Sequence, residues 1–269
     1  MQKSGMQKTG AITRQWITVV AVLMAIAINA LSNFFPPRGQ NIGEVSDTIL
    51  GGVLITPEGY AFAIWGLIYL GLITYSVYQA LPAQRDDDVC AHISWLLVGA
   101  CILQMLWVLA FLLYQFWLSV GLMLGILVCL WMAYLRSRTV KPTARRRWLL
   151  QSPISVYFGW ITVAAVVNVA SALHVMQATG TASDMRLAWA IPAAFVLMLV
   201  SAGIAGRVAM RHGDAAYPAV VTWALSAIAV RHAGSIPLLS VAGVLLSVLL
   251  SLVMVHIVAT GKGRSQAMP

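Results

Sequence analysis

Residues 93–113 read ISWLLVGACILQMLWVLAFLL, a run without a single charged side chain. At 1.5 Å per residue, about 20 such residues cover the roughly 30 Å hydrocarbon core of a bilayer. Inside lipid each backbone N–H and C=O must be paired within its own segment, so the run is a helix. Comparable runs recur at 15–34, 59–80, 116–135, 153–174, 187–206, 216–231 and 236–260. Eight spans are therefore expected, and the fold class is all-α, a polytopic transmembrane helical bundle. The seventh span is the shortest. It opens at Tyr217-Pro218, where proline suits a first helical turn, and closes at Arg231-His232. The apolar part of the first run exceeds the 7–15 residues of a signal-peptide core, so it reads as a retained helix.

Composition agrees. The 269 residues are 60% hydrophobic and 9% charged, with mean hydropathy +0.85. Soluble domains carry roughly 25% charged residues, so this chain cannot cover a soluble surface of its size. The net charge of +9 is placed as topology demands, and nucleic acid is not an expected partner. With the N-terminus inside, 14 Lys and Arg fall on the inner side and 3 (Arg38, Arg186, Arg231) on the outer. That bias puts both termini in the cytoplasm. The 136–147 loop, RSRTVKPTARRR, dominates it. The expected location is a bacterial cell membrane.

All eight acidic residues lie in loops or at span ends, and no Lys or Arg sits near a span centre. Ion and proton pathways need ionisable groups inside the membrane, so a cation-coupled pump is not expected. His256, toward the inner end of the last span, reads as a packed or snorkelling side chain. Cys90, Cys101 and Cys129 form no CxxC and read as small apolar residues. No phosphate loop, HExxH or nucleophile elbow occurs. No catalytic residue, metal site or required cofactor is expected. The long outer loop 35–58 contains Pro36-Pro37, with Ser46 or Asp47 as N-cap before Ile49. It is long enough to fold over the mouth of a bundle.

Three spans place aromatic and amide side chains at helical spacing. Phe62, Trp65 and Tyr69 are spaced i, i+3, i+7, as are Gln104, Trp107 and Phe111. Tyr157, Trp160, Ala164 and Asn168 follow i, i+3, i+7, i+11. Each set lies on one helix face. Counting from the outer ends, Trp65, Trp107 and Asn168 lie about 9–10 Å deep, Gln104 and Ala164 about 15 Å, and Trp160 about 20 Å. Such faces can wall a pocket for a flat apolar ligand, with the amides orienting its polar edge. They can equally be interfacial belts and helix-to-helix contacts. Spacing alone does not choose between the two.

These segments resemble the tryptophan-rich sensory protein/translocator protein family (TspO/MBR, peripheral benzodiazepine receptor-like). Pro57 followed by Phe62-Ala-Ile-Trp65-Gly-Leu-Ile-Tyr69 is similar to the family's F…W…LY pattern, with the Phe-to-Trp spacing one residue short. Leu103-Gln104-Met-Leu-Trp107-Val-Leu-Ala-Phe111 resembles LNxxWSxLFF, with Gln104 for the asparagine and Val108 for the serine. Leu130-Trp131 matches a leucine-tryptophan pair. Tyr157-Phe-Gly-Trp160-Ile-Thr-Val-Ala164-Ala-Val-Val-Asn168 resembles PYxxWxxFAxxLN, with Val156 and Val163 for the proline and phenylalanine. The likeness covers about residues 15–174.

The resemblance implies a five-helix core over residues 1–174, a pocket lidded by the first long loop, and a porphyrin, sterol or drug-like ligand. Residues 175–269 would be a three-helix extension that the short family members lack. The expected partners are the lipid bilayer and a hydrophobic small molecule of the porphyrin or sterol class, with a homodimer as an open alternative to a single chain. The expected role is a sensor or regulator. A transporter of such a molecule and a porphyrin-modifying enzyme are the alternatives. The charge bias makes one direct prediction: a reporter fused after Gly261 is active only when it works in the cytoplasm, and activity confined to the outer side would overturn the topology.

Overall fold

A computed structural model describes residues 2–140, 143–178 and 183–260. Of the charges counted above, Lys141, Lys262 and Arg264 lie outside the described residues, as do the side chains of Lys3, Lys8, Asp184 and Arg186. The helices are α1 (Gln2–Phe34), α2 (Ile42–Thr48), α3 (Ile64–Ala80), α4 (Asp88–Leu112), α5 (Phe116–Ser137), a single turn α6 (Ala144–Arg146), α7 (Ser152–Ala178), α8 (Ser183–His212), α9 (Ala216–His232) and α10 (Pro237–Ala259). A 3-10 turn, Gly59–Ala63, leads into α3. A π-helical stretch, Arg147–Gln151, leads into α7.

Among the described residues seven helices are long and apolar enough to cross a membrane: Thr9–Phe34, Gly59–Ala80, Asp88–Leu112, Phe116–Ser137, Ala144–Met176, Trp189–His212 and Pro237–Ala259. They coincide with seven of the eight expected runs. The eighth, α9, is a helix at the expected place. Its 17 residues reach about 25 Å, short of a full hydrocarbon core.

Local chemistry sets the helix ends. Pro36-Pro37 follows α1, and Pro82 follows α3, where proline cannot continue a helix. The Asp87 carboxylate caps α4 by accepting from the Cys90 amide at 2.9 Å. Gly213, at φ 59°, provides the left-handed residue that ends α8. Pro237 stands in the first turn of α10. Tyr114 carries φ 62° without being glycine. Its ring is held under the Arg38 guanidinium, 4.5 Å from the centroid, and its hydroxyl donates to Gln40 Oε1 at 3.0 Å. The structure differs from expectation at α2, which ends at Thr48. Ser46 and Asp47 are therefore near the close of that helix and cap nothing at its start. Glu44 occupies the first turn, where a negative charge suits the helix dipole, and Ser46 Oγ donates back to the Ile42 carbonyl at 2.8 Å.

The chain divides into two compact units. The first comprises residues 1–41 and 65–158; the second comprises 42–64 and 159–269. One boundary falls inside α7.

In the first unit α4 packs on α1 and α5. Buried polar side chains tie the helices pairwise. Gln15 Nε2 donates to the Gln79 carbonyl at 2.6 Å, and Gln79 Nε2 returns to the Gln15 carbonyl at 3.0 Å. The Tyr75 and Ser94 hydroxyls share a hydrogen bond at 3.0 Å. Gln151 Nε2 donates to the Ser137 carbonyl at 2.8 Å. Arg146 pairs with Asp87. Burial opposes ionisation of Asp87, but the Cys90 amide and the Arg146 guanidinium outweigh it and hold the carboxyl below its ordinary value. Gly71 lies against Pro153, where an added Cβ would stand 3.2 Å from the proline ring.

In the second unit α8, α9 and α10 pack on one another. Helix α9 is the covered member, while α10 exposes Leu238, Val241, Val244, Leu245, Val248 and Leu252, a face suited to lipid. The Tyr217 hydroxyl donates to Thr162 Oγ1 at 2.9 Å. Ser226 Oγ donates to Ser247 Oγ at 3.1 Å. Residues 42–64 are fastened to α9. The Glu58 amide donates to the Ala227 carbonyl at 3.3 Å, and Trp223 Nε1 to the Ala61 carbonyl at 3.0 Å. Arg231 pairs with Asp47 at 3.1 Å, and His232 Nε2 meets the Leu54 carbonyl at 2.7 Å. Helix α10 approaches α9 at Gly243, where an added Cβ would meet the Leu225 carbonyl oxygen at 2.8 Å and the Ala229 Cβ at 2.9 Å. Both neighbours are rigid. Gly243→Val should therefore lower the unfolding midpoint, by about 1–3 kcal/mol of overpacking, whereas Gly203→Ala, with open space around its Cβ position, should leave it unchanged in the same thermal melt.

Candidate ligand site

The residues singled out by spacing fall into both units. In the first, Trp65 and Tyr69 rise from the start of α3, one turn apart. Their rings stack at 5.5 Å between centroids and 29° between planes. Tyr157, from α7, meets Trp65 edge-on at 6.1 Å and 64°. Gln104, from α4, joins the two phenols. Its Nε2 donates to the Tyr69 hydroxyl at 3.2 Å, and its Oε1 accepts from the Tyr157 hydroxyl. Three helices distant in sequence thus bring Trp65, Tyr69, Gln104 and Tyr157 into one aromatic–amide cluster.

Burial differs across it. Gln104 and Tyr157 are buried, at 1% and 0% exposure, while Trp65 and Tyr69 are half-buried. One turn beyond Gln104 on the same face of α4, Trp107 is buried and lies against Phe111 at 5.3 Å. Phe111 in turn meets Phe116 edge-on at 5.6 Å. The first unit therefore carries two sets of ring contacts, Trp65 with Tyr69 and Tyr157, and Trp107 with Phe111 and Phe116, and Gln104 is the polar point of the first.

The remaining four residues belong to the second unit. Phe62 and Trp160 form an edge-to-face pair of their own, 5.9 Å between centroids. Ala164, one turn farther along α7, is half-buried. Asn168, a further turn along, is buried at 1% exposure.

The cluster's polar geometry was not visible in the spacing. Periodicity shows that Gln104 and Trp107 share a face; it does not show that an amide one methylene longer than asparagine spans two tyrosines on different helices. The fastening of residues 42–64 by Trp223, Arg231 and His232 was also missed. Its only sequence signals were the Arg231-His232 pair closing an apolar run and the Gly51-Gly52 step, at which the His174 ring lies where a Gly52 Cβ would sit.

Fold and cluster define a class: a multi-pass helical membrane protein with an aromatic, amide-bearing interior. A family model described as TSPO-like protein matches residues 15–256, and the chain belongs to that family. The match runs past residue 174 and takes in α8, α9 and most of α10, so the C-terminal helices are part of the pattern matched. No curated protein and no solved structure matches the chain.

Because Tyr157 is sealed from water, its hydroxyl depends on Gln104. Gln104→Leu should leave that phenol without its acceptor and cost about 1–3 kcal/mol of stability. The double variant with Tyr157→Phe should recover most of the loss in a denaturation series; no recovery would mean that the amide acts elsewhere.

Proposed function

We propose that this TspO-type membrane protein binds a hydrophobic small molecule of the porphyrin or sterol class on the aromatic–amide cluster of its first unit, acting as a sensor or regulator. The observation that carries the reading is the convergence of Trp65, Tyr69, Gln104 and Tyr157. Rings provide area and stacking for a flat ligand, worth about 0.5–1.5 kcal/mol per aromatic pair beyond area burial. A small polar point within an apolar wall orients it. Half-buried Trp65 and Tyr69 are the members open to a newcomer, and buried Gln104 and Tyr157 hold them in place. The family's known ligand class agrees with this chemistry. Within the spans the cluster offers hydrogen bonds and ring faces without an acid–base pair, which favours binding over catalysis.

The test is quenching of tryptophan fluorescence by a porphyrin on purified, folded protein. Trp65→Ala should weaken binding by about 1–3 kcal/mol through lost stacking and buried area. Trp117, 55% exposed at the start of α5, is the control, and Trp117→Phe should leave the affinity unchanged. Equal harm from Trp117→Phe and Trp65→Phe would overturn the site.

A further inference from the structure

We infer that Tyr69, rather than the amide beside it, is the hydrogen-bond donor that selects the ligand, and that the ligand carries a carbonyl or carboxyl oxygen at the edge of a flat apolar body. This rests on the binding reading above and specifies its chemistry.

The argument is one of hydrogen-bond direction. An amide has one oxygen that only accepts and one nitrogen that only donates; a phenol has one proton to give. Tyr157 is fully buried, and Gln104 Oε1 is the acceptor of its proton. Turning the amide over would present Nε2 to Tyr157 and strand that proton in a dry interior, so burial of Tyr157 settles the amide's orientation. Nε2 must then face Tyr69, as observed at 3.2 Å. Tyr69 receives a hydrogen bond and keeps its own proton. The chain of donation runs from Tyr157 through Gln104 to Tyr69 and ends there. Among the described residues the Tyr69 proton has no acceptor.

Position reinforces direction. Tyr69 is half-buried and stacked on Trp65, so a flat molecule lying along that indole brings its edge to the phenol. Accepting from Gln104 polarises the Tyr69 O–H and makes it a better donor. The Trp65 indole N–H is also donor-only. The groups left over therefore favour an acceptor on the ligand. A carboxyl or carbonyl oxygen meets that demand, whereas an all-hydrocarbon ring system leaves it unmet. The committed oxygen of Gln104 is in turn withheld from the ligand.

The experiment uses the full chain in lipid nanodiscs and two probes of similar shape: protoporphyrin IX, which carries two carboxyl groups, and etioporphyrin, whose periphery is all alkyl. The ratio of their affinities, compared between variants, cancels their different partitioning into lipid. Tyr69→Phe keeps the ring and removes only the donor. It should weaken protoporphyrin IX about tenfold and etioporphyrin less than about twofold, collapsing the preference for the acid. A preference unchanged in Tyr69→Phe overturns the inference and leaves the binding reading standing. Equal weakening of both probes also overturns it, since Tyr69 would then act through its ring alone. Binding of neither probe to folded wild-type protein overturns the binding reading itself. A second measurement needs no variant: infrared difference spectra of the wild-type protein should show a tyrosine C–O band shifting with protoporphyrin IX and not with etioporphyrin, and a shift with both or with neither overturns the assignment.

Discussion

A polar side chain on a lipid-embedded helix has no water to turn to: a Ser or Thr can bond back to its own helix, as Thr74 and Ser201 do, but a longer amide or a phenol must find its partner on another helix. That constraint organises both units. In the first, Gln15 and Gln79 bind each other's backbone, Tyr75 binds Ser94, and Gln104 binds Tyr69 and Tyr157. In the second, Tyr217 binds Thr162 and Ser226 binds Ser247. Each contact is worth only about 0.5–2 kcal/mol. Each is also specific, because an alternative register would strand two polar groups at once. The apolar surface around them is far less discriminating, since leucine against leucine and leucine against lipid differ little in free energy.

Close backbone approach is the second determinant. Lipid-embedded helices gain little from hydrophobic burial against each other, so contact depends on fit. Gly71 admits Pro153, and Gly243 admits the Leu225 carbonyl and Ala229. At Gly159 an added Cβ would stand 3.1 Å from the Tyr217 carbonyl oxygen. Small residues thus locate the crossings, and polar pairs set the register at them. The cluster of Trp65, Tyr69, Gln104 and Tyr157 depends on both, because its members reach one another only with α3, α4 and α7 in register.

The helices were legible in the sequence because the bilayer imposes length and apolarity on each segment separately. The uncharged run 93–113 is enough to identify α4, and the same reasoning finds α1, α3, α5, α7, α8 and α10. Helix α9 was legible as a helix, but its length against a membrane was the weakest reading, since its apolar stretch is short and its termini are polar. The faces of Trp65-Tyr69 and Gln104-Trp107 were legible from helical spacing. The role of the Gln104 amide was not, since spacing describes one helix at a time. The end of α2 was misread because Ser and Asp favour helix starts in general, and here Ser46 bonds back along its own helix instead.

The sequence by itself determined a multi-pass helical membrane protein, the places of its helices, the charge bias across its loops and the likeness to the TspO family. These follow from rules that act on contiguous residues: hydrocarbon thickness, backbone pairing within a segment and the distribution of Lys and Arg. Only the tertiary structure decided that Gln104 stands between Tyr69 and Tyr157, that residues 42–64 are fastened to α9 by Arg231 and His232, and that Phe62 pairs with Trp160. Those contacts join residues 35 to 184 positions apart. The physical reason is that a hydrogen bond between helices depends on register, depth and rotation together, and none of these is written in the periodicity of a single helix.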